Sequence, residues 1–210
     1  MLLYKIVNYP NETSSFHDRL CNLIDSSNLE KTRGGGHITS MNFFEDNRDN
    51  EDVDTLLTWI ESIVPMTAHN FSKVRYNPTR IKWSEMPLDD EYIRRMKNPE
   101  GEDLEYQKHS YGGGGELGFN PHTFKISGCW AVIYNQGDGL VEHNHFPFPL
   151  SFCYYLRKPE KSSPLVLGGE EFDLKEGQLI FFEGRENHFV NPSLVNGRYV
   201  ITGNILYTIE

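Results

Sequence analysis

The chain has 210 residues, long enough for one sizeable domain with a buried core. Thirty acidic against 20 basic residues leave a formal net charge of −10, which argues against a broad nucleic-acid surface, because phosphate binding needs clustered Lys and Arg. Cys21, Cys129 and Cys153 are odd in number and lack paired spacing. They read as reduced thiols of a cytoplasmic protein, not as a disulfide frame or a zinc knuckle. The first residues turn polar too soon for a signal peptide, and no apolar run is long enough for a bilayer, so no membrane partner is expected.

Leu2 to Val7 reads as a strand ending at Pro10. From Asn11 to Ser26, the apolar residues Phe16, Leu20, Leu23 and Ile24 fall on one helical face, with Asn11, Thr13 or Ser14 available as a cap. Arg33 to His37 carries three glycines and reads as a flexible turn or loop. Met41 to Phe44 is expected as a strand, and Asp46 to Asp54 as a polar surface loop. Val53, Leu56, Leu57, Ile60 and Ile63 mark a second amphipathic helix that Pro65 should end. Phe71 to Tyr76 is expected as a strand, and Asp89 to Lys97 as a short helix. Tyr111 and the glycines from Gly112 to Gly115 suggest a mobile lid or a plain linker.

From Thr123 the character changes. Short β-rich runs follow one another: Thr123 to Ser127, Trp130 to Tyr134, Leu150 to Leu156, Leu165 to Leu167, Gln178 to Phe182, Phe189 to Val190 and Arg198 to Tyr207. Turn signals separate them, which suggests a sandwich or jelly roll. The expected organisation is one mainly β domain over 1–210 with flanking helices. Helices, strands and a Gly-rich loop occupy 1–122, and a jelly-roll (double-stranded β-helix) core occupies 123–210.

The chemistry concentrates in that core. His143 and His145 are two apart and point to one face of an extended strand. His188 lies forty-three residues beyond His145 and can close a three-imidazole facial set that leaves open positions on a metal ion. Arg198 follows ten residues later, and its planar fork suits the carboxylate of a co-substrate. Glu142 alternates to the opposite face, and Asp138 lies in the preceding turn. His17, His37, His69, His109 and His122 have no partners at ligand spacing, and Trp130, Phe181 and Phe182 read as core.

Taken in order, these pieces resemble the catalytic core of the iron(II)- and 2-oxoglutarate-dependent dioxygenases, most closely the prolyl-hydroxylase-like branch. The matching text runs from Trp130–Tyr134 through His143-x-His145, Phe152–Leu156 and Gly177–Phe182 to His188–Pro192 and Arg198–Thr202. The resemblance implies iron(II) as the metal, 2-oxoglutarate and O2 as co-substrates, and ascorbate as a reductant. It implies hydroxylation of a C–H bond in a peptidyl, amino-acid or other small-molecule substrate. His143 and His188 match the metal histidines, and Arg198 matches the residue that pairs with the distal carboxylate of 2-oxoglutarate. Tyr154 matches a tyrosine that joins that carboxylate, and Tyr134 a second pocket tyrosine. Thr202 and Asn204 share the Arg198 face of the last strand by period two and are secondary candidates.

One departure stands out. The family places Asp or Glu where this chain has His145, so a triad of neutral imidazoles would replace one carrying a negative charge. His145 is kept as the third ligand. Two other readings use the same residues: a binding or structural protein on this fold with a degenerate metal site, and a three-histidine metalloenzyme that does not use 2-oxoglutarate.

Overall fold

The computed structural model describes residues 2–11, 13–75, 124–146 and 148–207, with backbone alone at 66, 68–75 and 207. The expected helix at Asp89–Lys97 and the expected lid at Tyr111 and Gly112–Gly115 lie outside the described residues. The N-terminal elements are β1 (Tyr4–Asn8), α1 (Ser14–Asp25), β2 (Glu30–Lys31), β3 (His37–Ile38), α2 (Phe43–Asp46) and α3 (Glu51–Arg75). The strands that follow are β4 (Phe124–Tyr134), β5 (Leu140–His143), β6 (Leu150–Arg157), β7 (Leu165–Leu167), β8 (Glu170–Phe172), β9 (Gln178–Glu183), β10 (His188–Val190) and β11 (Arg198–Tyr207).

Among the described residues the strands form two antiparallel sheets. One has seven strands in the order β1-β9-β6-β11-β4-β3-β2, and the other has four in the order β5-β10-β7-β8. Strands distant in sequence interleave in both sheets, giving the expected double-stranded β-helix with helices on one side.

Two hydrophobic cores sandwich the larger sheet, and strand alternation sends side chains to each in turn. On β6, Leu150, Phe152, Tyr154 and Leu156 enter the core shared with the helices, while Cys153 and Tyr155 enter the core between the sheets. On β9, Leu179 and Phe181 face the helices, while Ile180 and Phe182 face the smaller sheet. Helix α1 buries Phe16, Leu20, Cys21 and Ile24 against the first core. Helix α3 adds Val53, Leu56, Leu57, Ile60 and Val64. Asn50 caps α3, its Oδ1 accepting the amides of Asp52 and Val53.

Four expectations are corrected. Met41 to Phe44 is not a strand: Phe43 and Phe44 are both buried in one core, which a helical turn allows and an alternating strand does not. Pro65 lies inside α3 instead of ending it. The bond lost at proline costs about 3 kcal/mol, and burial of five apolar residues on the preceding turns outweighs it. Phe71 to Arg75, expected in a strand, continue α3, and Tyr76 lies outside the described residues. The two runs expected before and after Gly128 are one strand, β4, whose pairing with β11 shifts register opposite Gly203–Ile205.

Candidate metal centre

β5 and β10 are adjacent strands of the smaller sheet, and their pairing sets His188 directly opposite His143. His145 lies two residues past His143, just beyond the end of β5, and its backbone is held from the neighbouring loop. Its amide donates to the Gly184 carbonyl at 2.6 Å, and its carbonyl accepts the Phe148 amide at 2.9 Å. Gly184 must be glycine for this contact, because a Cβ there would collide with the Phe148 carbonyl.

The three imidazoles form one cluster, with one ligand nitrogen from each lying within 4.8 Å of the others. Among the described residues no carboxylate or thiol joins it. The Nε2 atoms of His145 and His188 are 3.3 Å apart. Imidazole–metal bonds of about 2.1 Å place adjacent ligands of one ion roughly 3 Å apart, so this pair fits a shared metal. Nδ1–H of His143 donates to the Val141 carbonyl at 2.9 Å, and Nδ1–H of His188 to the Glu186 carbonyl at 3.1 Å. These bonds leave each Nε2 as a lone-pair donor, the backbone orientation typical of metal-binding histidine. Burial, with the neighbouring imidazoles adding to it, holds His145 down to about 3 and His188 down to about 4. Both are therefore neutral near pH 7 and can act as ligands without first losing a proton. The Trp130 ring flanks His145 at 5.7 Å and the Phe182 ring flanks His188 at 5.0 Å.

Arg198 opens β11 and is 1 % exposed. Its Nη1 donates to the Ser163 carbonyl and its Nη2 to the Tyr155 hydroxyl, each at 2.8 Å. Its guanidinium carbon lies 4.9 Å from the centre of the Tyr134 ring and 5.1 Å from that of Tyr155. Among the described residues its Nε has no partner and no carboxylate forms an ion pair with it. A buried cation held by neutral groups alone is costly, and such a site favours an incoming anion. Burial pushes the Tyr155 phenol up to about 12 against the pull of Arg198, and it raises Tyr134 further. Tyr155 thus keeps its proton: its oxygen accepts from Arg198 and its O–H remains a donor.

His143, His145, His188, Arg198 and Tyr134 all come to the space between the sheets. Thr202 and Asn204 reach it as well. The Thr202 hydroxyl donates to the Phe152 carbonyl at 2.8 Å and receives the Cys153 thiol at 3.5 Å; Asn204 Oδ1 accepts the Ser151 hydroxyl at 2.9 Å. Tyr154 does not reach it and is corrected. It leaves β6 on the helix side, and its hydroxyl is 2.7 Å from His17 Nε2. The register puts Tyr155 opposite Val200 and Tyr154 opposite Ile201, so Tyr155 shares a face with Arg198. One sequence signal separates the two tyrosines. Ser151, Cys153 and Tyr155 form the more polar set on β6, and that set faces the site, whereas Arg157, beyond a shift in register with β11, turns to the helix side and pairs with Asp18.

Glu142 stays outside the cluster, accepting the Asn187 side-chain amide at 3.1 Å. Asp138 locks its own turn by accepting the Asn135 amide at 2.9 Å. No helix of the described residues is long and apolar enough to cross a membrane.

The fold is similar to those of solved 2-oxoglutarate- and iron(II)-dependent oxygenases. A prolyl-4-hydroxylase from Pseudomonas putida superposes with a TM-score of 0.57 at 15% identity, covering 100% of this chain and 95% of its own. A 2OG-Fe(II) oxygenase family oxidoreductase from Burkholderia pseudomallei gives 0.55 at 11% identity, covering 97% and 85%. A prolyl hydroxylase from Trichoplax adhaerens, in complex with a hypoxia-inducible-factor peptide fragment, gives 0.52 at 16% identity, covering 98% and 83%. No family model matches the chain, and no curated relative matches it.

Proposed function

We propose that this chain is an iron(II)-, 2-oxoglutarate- and O2-dependent dioxygenase that hydroxylates a C–H bond of a peptidyl or amino-acid substrate, acting as one domain over 1–210. The observation that carries this reading is Arg198, a buried guanidinium without an ionic partner among the described residues, on the same inter-sheet face that meets the histidine cluster. A zinc hydrolase or a simple three-histidine oxygenase has no use for that charge. A co-substrate with two carboxylates, one at the metal and one at a buried cation, does.

Iron(II) and 2-oxoglutarate together supply the oxidation: O2 is split, 2-oxoglutarate leaves as succinate and CO2, and one oxygen atom enters the substrate C–H bond. The protein's part is to bind and orient. His143, His145 and His188 would hold the ion through three imidazole nitrogens, which would leave positions for the co-substrate and O2. Arg198 pairs with the distal carboxylate, and the Tyr155 hydroxyl donates a second hydrogen bond to it. Tyr134, Val132 and Val200 belong to the buried core between the sheets and would keep water from the anion end of the site. Ascorbate fits as a reductant for a centre that oxidises without turnover. The three free, buried cysteines suit a reducing, cytoplasmic setting. The peptide bound by the Trichoplax enzyme supports a peptidyl substrate for this chain.

The absence of a carboxylate from the cluster, among the described residues, favours a second reading: a three-histidine metal site that serves another chemistry. Anaerobic titration of the apoprotein with iron(II) and then 2-oxoglutarate separates the two. The oxygenase reading expects a weak visible metal-to-ligand charge-transfer band. Arg198→Ala should weaken 2-oxoglutarate at least about a hundredfold while iron(II) stoichiometry is kept. Iron binding with no band on addition of 2-oxoglutarate would favour the second reading.

A further inference from the structure

Gly34, Gly35 and Gly36 form the tip of the β2–β3 hairpin. On one side β3 pairs with β4, His37 opposite Ile133 and Ile38 opposite Val132. On the other, the Gly34 carbonyl accepts the Gly139 amide at 2.7 Å, and Gly35 forms a bridge to Gly139, the residue ahead of β5. The three glycines are thus a strap between the larger sheet and the start of the strand that carries His143.

No side chain fits on this strap without movement. A Cβ on Gly34 would collide with the Gly139 carbonyl, and one on Gly35 would stand 2.7 Å from Asp138 Oδ1. A Cβ on Gly36 would lie 3.2 and 3.3 Å from Cε1 and Cδ1 of Tyr134, and 3.3 Å from Cγ1 of Val132. Tyr134 is buried, and its ring is the one over which the Arg198 guanidinium lies at 4.9 Å. Backbone, ring and guanidinium are therefore packed in series.

We propose that Gly36 is a positioning residue for the anion end of the pocket: its bare backbone seats the Tyr134 ring against Arg198. The inference rests on the reading of Arg198 as the anchor of 2-oxoglutarate. A methyl group at position 36 pushes on the edge of a buried ring, packed in the inter-sheet core, that also lies against the guanidinium. The strain passes to Arg198, because a close-packed interior has no slack to absorb it. His143 and His188 lie on the other sheet and His145 just past the end of β5, and the atoms nearest a Cβ at position 36 belong to Tyr134 and Val132, so metal binding is expected to be spared.

The test is anaerobic titration of iron(II) and then 2-oxoglutarate into wild type, Gly36→Ala, Tyr134→Leu and the double variant, with the charge-transfer band and iron stoichiometry as readouts. Gly36→Ala is expected to weaken 2-oxoglutarate by about tenfold with iron(II) affinity unchanged. In the Tyr134→Leu background the same change is expected to add little, because the ring it displaces is gone. Unchanged 2-oxoglutarate affinity in Gly36→Ala overturns the inference. So does an effect that adds in full to Tyr134→Leu, or a parallel loss of iron and co-substrate, which would mark the strap as a support of the whole fold. Should Gly36→Ala fail to fold, Tyr134→Leu alone carries the test, and unchanged 2-oxoglutarate affinity there overturns the role of the ring. If wild type binds iron(II) and gives no band with 2-oxoglutarate, the oxygenase reading fails first and the positioning role falls with it.

Discussion

The hydroxyls of Tyr154 and Tyr155 leave β6 on opposite sides of the larger sheet, one 2.7 Å from His17 and the other 2.8 Å from Arg198. A conservative change at each should therefore have different effects. Tyr155→Phe removes a hydrogen bond from a buried cation and a donor from the proposed carboxylate site. It is expected to weaken 2-oxoglutarate by roughly tenfold or more, as read by the charge-transfer titration. Tyr154→Phe should leave that titration unchanged and lower stability by about 1 kcal/mol in denaturant unfolding, the worth of one buried hydrogen bond. Equal effects of the two changes on co-substrate binding would contradict the assignment. At the metal, His145→Asp restores the carboxylate common at this position among the oxygenases that the sequence resembles. If position 145 points at the ion, iron(II) binding is retained, whereas His188→Ala loses it; iron stoichiometry distinguishes the two.

At the scale of elements, α1 is fastened to β6 through His17, a residue 3 % exposed whose imidazole meets the Tyr154 hydroxyl. Burial is the main cause that holds His17 below its usual range. The folded protein therefore prefers the neutral ring, and the unfolded chain, titrating near about 6.5, takes up the proton first. The contribution of His17 to stability is complete above that pH and is lost as pH falls toward the folded-state value. His145 and His188, lowered in the same way, act in the same direction in the metal-free protein. The melting temperature of the apoprotein should fall between pH 7.5 and pH 5, and His17→Gln should flatten part of that slope. A wild-type melting temperature independent of pH across this window would contradict the sign. Helix α3 illustrates the limits of local rules. Pro65 marks a helix end by its backbone chemistry, yet the apolar face from Val53 to Val64 is already docked on β4 and the helix continues.

For the whole molecule, the two sheets meet at the site from opposite sides. The smaller sheet and the loop that leaves β5 supply the imidazoles, and the larger sheet supplies Arg198, Tyr134 and Tyr155. A ligand set that joins both sheets binds only the folded protein. Iron(II) with 2-oxoglutarate at about 100 times its dissociation constant should add about 2.7 kcal/mol, or several degrees in melting temperature, and Arg198→Ala should remove the increment due to 2-oxoglutarate. The sequence by itself determined the class of fold, because short β-rich runs between turn signals leave few alternatives to a jelly roll. It also singled out the three histidines, by the spacing of His143 and His145 and by His188 after the apolar run Gln178–Phe182, although His145 is aimed by a loop contact to Gly184 just past the end of β5 and not by strand alternation. The tertiary structure alone decided what depends on pairing between distant strands. Which tyrosine of an adjacent pair faces Arg198 follows from the register of β6 on β11, and the seat of Tyr134 on Gly36 follows from a hairpin nearly a hundred residues away in the chain. Alternation within a strand is a local property that residues display. Register and sheet neighbours are set by the global packing of two cores, and no single stretch of sequence carries them.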